Sequence, residues 1–169
     1  MHSRPSFTLA RSLIKFNDNS KKIIHAFKYY DKSTVAALFA RLFCARYGEE
    51  IKDIDLIVPV PMHKIKRLMR NYNQSFILGQ EMAKILNKPI LFDGLVKYKW
   101  TQPQSSLKFK ARQHNLIGSI KANDKYDVKG KNILLVDDVL TTGNTIKYCS
   151  NLLKYQGAAK VIVATIART

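Results

Sequence analysis

Apolar residues along the 169-residue chain fall into short continuous runs separated by stretches with helical spacing. The runs at 55–60 (DLIVPV), 133–136 (ILLV) and 161–166 (VIVATI) are typical of strands that are buried on both faces. A weaker run at 90–92 predicts one more short strand. Because predicted strands alternate with helices, the pattern favours an α/β fold with a mostly parallel central sheet flanked by helices.

Four helices are predicted, and most have a recognisable cap. Ser20 and Ser33 are expected to cap the first two helices, and Asn73 to begin a third that runs to about Asn87. A fourth helix is predicted over 145–155, with Gly157 suited to its C-cap, whereas residues 1–19 are predicted to be polar and irregular. The expected core positions are Ile23, Ile24 and Phe27, then Val35, Leu38, Leu42 and Phe43, then Phe76, Ile77, Ala83 and Leu86, and finally Ile146, Cys149 and Leu153.

The chain is strongly basic, with 29 lysines and arginines against 12 acids and a net charge of +17. This charge favours a polyanionic partner, although lysines scattered over a solvated surface would explain it equally well. Cys44 and Cys149 are expected to be buried free thiols, and no CxxC motif is present to form a zinc ribbon. The N-terminus lacks the apolar core of a signal peptide, and the longest apolar run (34–45) is interrupted by Arg41. We therefore predict a cytoplasmic protein without a transmembrane segment.

The most informative stretch is ILLVDDVLTTGNT at 133–145, where a buried strand leads into two adjacent acids and a Thr-Thr-Gly turn. A parallel strand that feeds a helix through a tight turn builds a ligand site at its carboxyl end. The unpaired N–H groups of the helix start favour an anion, and Gly143 lets the backbone curl towards it. Asp137 and Asp138 can accept hydrogen bonds from paired sugar hydroxyls or help to hold Mg²⁺.

These features together predict a site for a sugar 5′-phosphate. The chain contains neither GxGxxG nor GxxxxGK[ST], which argues against a dinucleotide or a P-loop site. The alternative is a strand–turn–helix unit in which the two acids only cap the helix.

Residues 136–145 (VDDVLTTGNT) resemble the phosphoribosyl-pyrophosphate (PRPP) motif of type I phosphoribosyltransferases. Three further segments are similar to those of the ComF/GntX family, which is related to competence proteins. They are VPVPMH at 58–63, RLMRNYNQS at 67–75 and TQPQ at 101–104 with Arg112 and Asn115. Asn71 stands where that family usually has glycine, and the 169 residues do not include the family's N-terminal zinc ribbon, which we expect either to be naturally missing or to have been lost by truncation of the start. The resemblance extends from about residue 12 to the C-terminus, and we expect a single phosphoribosyltransferase-like domain over 1–169.

The resemblance implies a type I phosphoribosyltransferase fold with a flexible lid loop, and transfer of ribose 5-phosphate from PRPP to an acceptor with release of pyrophosphate. Asp137 and Asp138 would be the catalytic residues and would hold Mg²⁺ through its waters. The implied ligand contacts are Leu140, Thr141, Thr142, Gly143, Asn144 and Thr145 for the 5′-phosphate, His63, Lys64, Arg67 and Arg70 for pyrophosphate, and Gln104 and Arg112 on the lid.

Two other functions stay open on the sequence alone. The chain could be a non-catalytic protein of DNA uptake that binds single-stranded DNA or competence proteins, or a regulator that senses PRPP without turning it over. The alternative for the basic residues at 63–70 is a solvated face or a nucleic-acid patch, although their position after a buried strand favours the pyrophosphate role. No motif names the acceptor, and a homo-oligomer is also open.

Overall fold

A computed structural model describes residues 7–29, 32–62, 72–98 and 118–169. In these ranges the strands are β1 (Leu9–Lys15), β2 (Leu56–Pro59), β3 (Leu95–Lys97), β4 (Ile120–Ala122), β5 (Asn132–Leu140) and β6 (Lys160–Arg168). The helices are α1 (Asp18–Tyr29), α2 (Lys32–Ile51), α3 (Gln74–Leu86) and α4 (Asn144–Tyr155). The predicted α/β class is confirmed, since four parallel strands form the central sheet in the order β1-β6-β5-β2.

The central sheet is covered on both faces, which explains why its inner strands read as continuous apolar runs. Along β5, Leu134 and Val136 face the side that carries α1, α2 and α3, whereas Ile133 and Leu135 face the side that carries α4. Two hydrophobic cores therefore lie on opposite faces of one sheet.

The connections that follow β2 and β5 run in opposite directions across the sheet. After β2 the chain returns through α3, which packs on one face, and Ile90 then pairs with Ile57 on the outer side of β2. After β5 the chain returns through α4, which packs on the other face, and leads to β6. The carboxyl ends of β2 and β5 therefore flank a topological switch point, which is where open α/β sheets bind their ligands.

Strand β1 corrects the prediction that residues 1–19 are irregular. Its centre carries Arg11 and Ser12, which obscure any apolar alternation, and it is an edge strand that pairs only with β6 within the described sheet. The Ser12 and Thr165 hydroxyls lie 2.6 Å apart across this pair. The strand forms because β6 supplies partners for its backbone, which local sequence does not reveal.

The cap at the start of α1 lies earlier than predicted. Asn17, not Ser20, precedes the helix: Asn17 Oδ1 accepts from the Ser20 N–H at 2.9 Å, and Ser20 Oγ accepts from the Asn17 N–H at 2.7 Å. This reciprocal pair is a capping arrangement that satisfies two backbone donors at once. Ile24 and Phe27 are buried as predicted, whereas Ile23 is exposed.

Helix α2 matches the predicted stripe at one position only. Phe43 is buried as predicted, whereas Leu38 and Leu42 are 55% and 50% exposed and Val35 is only partly buried. The other buried positions are Ala36, Phe39, Ala40 and Ile51. Small side chains at two of these positions let α2 approach its neighbours closely. Ser33 lies inside the first turn of α2 and is not its cap.

The bounds of the third and fourth helices follow the prediction closely, but the core stripe of α3 does not. Its buried apolar side chains are Leu78 and Met82, whereas the predicted Phe76, Ile77, Ala83 and Leu86 are only partly buried. Asn73 is the N-cap of α3, and Asn87 ends it in a left-handed conformation at φ 49°. In α4, Ile146, Cys149 and Leu153 are buried, and Gly157 follows the helix at φ 91°.

Two smaller predictions also needed correction. Instead of the strand expected at 90–92, the structure has a single bridge at Ile90. The antiparallel pairing of β3 with β4 was not predicted at all. Of the two thiols, Cys149 is fully buried and Cys44 only partly so. In the described part of the chain, no helix combines the length and apolarity needed to cross a membrane.

Candidate ligand site at the carboxyl end of the sheet

The two adjacent acids lie within β5, which continues beyond the predicted end at Val136 to Leu140. Each carboxylate accepts a hydrogen bond from the next backbone N–H: Asp137 Oδ1 from Asp138 at 2.9 Å, and Asp138 Oδ1 from Val139 at 2.7 Å. The N-cap of α4 is Gly143, not an aspartate. The alternative in which the acids only cap the helix is therefore wrong.

The turn after β5 leaves the start of α4 open to a ligand. Gly143 adopts φ 73°, a left-handed conformation that favours glycine, and it provides no side chain to accept from the first N–H groups of the helix. A Cβ placed there would meet Leu140 at an ordinary contact distance of 3.7 Å, so conformation and not space requires glycine. The first N–H groups of a helix have no partner within the helix, carry partial positive charge and suit an anion.

A hollow of about 30 Å³ forms in this turn, a size that suits one small polar group. Its lining brings together all six residues predicted for the 5′-phosphate, together with one of the two acids: Asp137, Val139, Leu140, Thr141, Thr142, Gly143, Asn144, Thr145 and Ile146. The side-chain nitrogen of Asn144 is buried and has no hydrogen-bond partner among the described residues. A buried donor without an acceptor is costly, and an anionic oxygen would satisfy it.

Carboxylates and an anion pocket side by side also fit a divalent cation. Within the described ranges, no three His, Cys, Asp or Glu side chains come together as a metal cluster. Of the described residues, the two acids of β5 could help to hold Mg²⁺, which usually takes its remaining oxygens from water and the ligand.

Helix α3 reaches the same site from the other face of the sheet. Ser75, in its first turn, donates from Oγ to Asp137 Oδ1 at 2.9 Å. Asn73 donates from Nδ2 to the Val60 carbonyl at 3.1 Å and accepts from the Ser75 N–H at 3.1 Å. Neither side chain was predicted to serve the site. The position of Asn73 at a helix start just after β2 was the available clue, because the ends of adjacent parallel strands share one sheet edge.

The charge of Asp137 also affects the pKa of a buried thiol in the core beneath it. Burial raises the pKa of the Cys149 thiol, the negative charge of Asp137 raises it further, and Lys97 acts in the opposite direction. Cys149 is therefore a neutral core side chain. Burial likewise raises the pKa of Cys44 to about 11.

The remaining predicted site residues, His63, Lys64, Arg67, Arg70, Gln104 and Arg112, lie outside the described ranges. The flanks of the first four are described. Val60 donates its N–H to the Val136 carbonyl at 2.8 Å, and Tyr72 donates from its hydroxyl to the Phe27 carbonyl at 3.3 Å. Val60, three residues before His63 in the chain, therefore lies beside β5.

Parallel strands, a switch-point site and a strand–acid–turn–helix unit together define a protein of the type I phosphoribosyltransferase fold. A family model for the phosphoribosyl transferase domain matches residues 62–169. The chain belongs to this family and, as its motifs predicted, to the branch that contains competence protein F.

Two curated relatives support that placement. Competence protein F of Haemophilus influenzae is 31% identical over 152 residues, covering 86% of this chain and 66% of the relative. DNA utilization protein YhgH of Escherichia coli K12 is 30% identical over 152 residues, covering 87% of this chain and 66% of the relative. The chain thus spans just under two thirds of the length of both relatives.

Among solved structures, adenine phosphoribosyltransferase from Saccharomyces cerevisiae, complexed with an imino-altritol bisphosphate and adenine, superposes with a TM-score of 0.53. The identity is 16%, and the match covers 80% of this chain and 69% of that chain. At this identity the likeness concerns the fold.

Proposed function

We propose that this chain binds PRPP with Mg²⁺ and transfers ribose 5-phosphate to a nitrogenous acceptor, with release of pyrophosphate. The observation that carries the proposal is that two neighbouring carboxylates meet a helix start without a side-chain cap at one switch point. A phosphate beside a vicinal diol matches both halves of this site.

In this proposal each part of the turn has one task. The backbone N–H groups and hydroxyls of residues 140–145 bind the 5′-phosphate, and the buried amide nitrogen of Asn144 adds a donor. Asp137 and Asp138 accept hydrogen bonds from the ribose 2′- and 3′-hydroxyls. The C1–O bond to pyrophosphate breaks with its electron pair leaving on pyrophosphate, while the acceptor nitrogen bonds to C1 and loses a proton. The two carboxylates stabilise the positive charge that develops on the sugar.

The leaving pyrophosphate needs cations, and His63, Lys64, Arg67 and Arg70 remain the predicted source. The position of Val60 beside Val136 supports this role, because Val60 lies three residues before His63 in the chain and Val136 directly precedes Asp137. Gln104 and Arg112 remain predicted contacts from a lid. Bound Mg²⁺ would neutralise charge on the pyrophosphate and so ease its departure, with Asp137 and Asp138 holding the ion through its waters.

The proposal is tested by the thermal stability of the protein with PRPP and Mg²⁺. Ligand at a hundredfold excess over Kd should raise the free energy of unfolding by about 2.7 kcal/mol. The double variant Asp137→Asn/Asp138→Asn should lose this gain.

The matched control is Asp124→Asn/Asp127→Asn, which makes the same charge change in the turn before β5, at the opposite edge of the sheet. The control should keep the full stabilisation. If the wild type gains nothing from PRPP, or if the control loses as much as the site variant, the proposed sugar-phosphate site is wrong.

A second candidate function is the handling of single-stranded DNA, which the names of the relatives suggest and a basic groove favours. A groove of about 650 Å³ runs beside the edge strand β1. Its cationic lining comprises Arg11, Lys15, Arg46 and Arg168. The Arg46 and Arg11 guanidinium groups lie 5.3 and 6.0 Å from the ring centre of Tyr47, and Glu50 pairs with Arg11 at 2.9 Å. Arginines around an aromatic ring suit phosphates and stacked bases.

The salt dependence of single-stranded DNA binding tests this candidate. Each phosphate that a cation neutralises contributes about 0.7 to the slope of log K against log salt, so Arg46→Ala/Arg168→Ala should lower that slope by about 1.4. Lys52→Ala/Lys84→Ala removes two exposed charges elsewhere and should leave the slope almost unchanged. Equal slopes in both variants would assign DNA binding to overall charge and not to this groove.

Enzyme and PRPP-sensing regulator are distinguished by assaying pyrophosphate release across a panel of nitrogenous bases. The proposal also includes a cytoplasmic location, a single domain over 1–169, and either a homo-oligomer or competence partners. The acceptor is the base in this panel that supports release. Binding without release would favour the regulator.

A further inference from the structure

The first turn of α3 connects the two strand ends that border the switch point. Asn73 bonds to the Val60 carbonyl beyond β2, and Ser75 bonds to Asp137 in β5. Because Asn73 already caps α3, the Ser75 hydroxyl is not needed for that task and points across to the other strand. The helix start therefore holds both strand ends in a fixed relation.

The contact between Ser75 and Asp137 joins a buried hydroxyl to a half-buried carboxylate. Ser75 is only 5% exposed, and it lies 62 residues before Asp137 in the chain. A hydroxyl that donates to a carboxylate makes one of the stronger classes of hydrogen bond, because the acceptor is charged.

Two donors converge on the same oxygen of Asp137. Oδ1 accepts from Ser75 Oγ at 2.9 Å and from the Asp138 N–H at 2.9 Å. Two bonds to one oxygen from different directions define how the carboxylate plane is turned, and thereby the direction of Oδ2.

We infer that Ser75 is a positioning residue, which turns the Asp137 carboxylate so that it recognises the ribose hydroxyls. This inference rests on the proposed function, since it concerns the same ligand. Ser75 itself does not line the hollow, and its proposed action on the sugar is through Asp137.

The experiment compares ribose 5-phosphate with 2-deoxyribose 5-phosphate, which differ only in the hydroxyl that a correctly turned carboxylate would bind. Their affinities are measured for the wild type and for Ser75→Ala, Ser75→Thr and Ser150→Ala. Ser150 is a matched control, because it is a fully buried helical serine whose hydroxyl has no partner in the structure.

The wild type should prefer the ribose compound, and Ser75→Ala should reduce that preference by about tenfold, the effect of one hydrogen bond to a charged group. Its affinity for the deoxy compound should not change. Ser75→Thr retains a hydroxyl and should retain the preference, as should Ser150→Ala. In the background of Asp137→Asn, Ser75→Ala should have no further effect, because residues that act as a unit are not additive.

The outcomes separate the two ideas. If the wild type binds both sugars equally or binds neither, the proposed function fails and the inference fails with it. If the wild type prefers ribose but Ser75→Ala keeps that preference, or weakens both ligands alike, the positioning role alone is overturned. A Ser75→Thr protein that loses the preference as fully as Ser75→Ala would also count against the hydroxyl.

Discussion

At the carboxyl end of the sheet, β5 and β2 are each followed by a helix, yet only one of the two helix starts has a side-chain cap. After β5 the helix α4 begins at Gly143, which offers no side chain to the helix N–H groups. After β2 the helix α3 begins at Asn73, whose side-chain oxygen accepts from the Ser75 N–H. The start of α4 leaves its N–H groups for a ligand, and the start of α3 uses its own side chain to satisfy them.

The comparison teaches that position at a switch point is not sufficient to make an anion site. Both helices start at the carboxyl end of a buried parallel strand, where ligands are expected. The cap residue distinguishes the two helix starts. Gly143 leaves the start of α4 able to bind a phosphate, whereas Asn73 stabilises the start of α3 with its own side chain.

Replacing Gly143 by valine should have the largest effect. A branched side chain is strained at φ 73°, so the free energy of unfolding should fall by about 2 kcal/mol, and the phosphate hollow should be distorted. Chemical denaturation and PRPP binding measure the two effects. Gly48→Ala is the control: it lies within α2 with no atom within 4 Å of the added Cβ, and should stabilise slightly. A stable Gly143→Val protein with intact PRPP binding would contradict this account of the turn.

Removing the cap of α3 should come next. Asn73→Ala removes an N-cap and leaves the Val60 carbonyl without its side-chain donor, which should lower the free energy of unfolding by about 1 to 2 kcal/mol. Asn73→Ser keeps a capping oxygen and should lose less. Denaturant titration of the two variants separates the cap from the bond to Val60, and equal losses would show that the cap contributes little.

Giving the start of α4 a side-chain cap should affect ligand binding more than stability. Asparagine tolerates a left-handed backbone, so Gly143→Asn should fold with only a small loss of stability. Its side-chain oxygen would then compete with the phosphate for the helix N–H groups, and PRPP affinity should fall by about fivefold to tenfold, equivalent to about 1 kcal/mol. Calorimetric titration measures this, and unchanged affinity would mean that these N–H groups do not bind the ligand.

The smallest expected effect concerns the loop that packs against α3. The rings of Phe76 and Phe92 lie 6.4 Å apart, and the neighbouring Asp93 accepts from Tyr126 and Lys125. Although burial alone would raise the pKa of Asp93, these two hydrogen bonds lower it below its usual range. Asp93 therefore stabilises the fold above its ordinary pKa, and this contribution is lost as the pH falls below about 4.

Asp93→Asn should accordingly flatten the acid limb of stability against pH and leave PRPP binding at neutral pH unchanged. Thermal melts between pH 3 and 7 provide the measurement. An acid limb identical to that of the wild type would show that the interactions of Asp93 are as weak as other exposed ion pairs.

Local chemistry was sufficient to predict the inner strands, the bounds of the two later helices and the ligand turn, but not the core stripe of α3, where Leu78 and Met82 are buried. Asn73, Asn87 and Gly157 act through their own backbone neighbourhood, so their roles are visible in the sequence. The stripe of α2 was not, because Leu38 and Phe39 are both at helical spacing, and the packing of small residues such as Ala40 decided which side faces inward.

The amino-acid sequence by itself determined that acids, threonines and a glycine follow a buried strand, since these residues act within a dozen positions of one another. Only the tertiary structure decided that β1 is a strand and that Ser75 meets Asp137. The backbone partners of β1 lie in β6, some 150 positions along the chain, and the hydroxyl of Ser75 lies 62 positions from its acceptor. Contacts of that separation are set by how the sheet is assembled, which no short stretch of sequence contains.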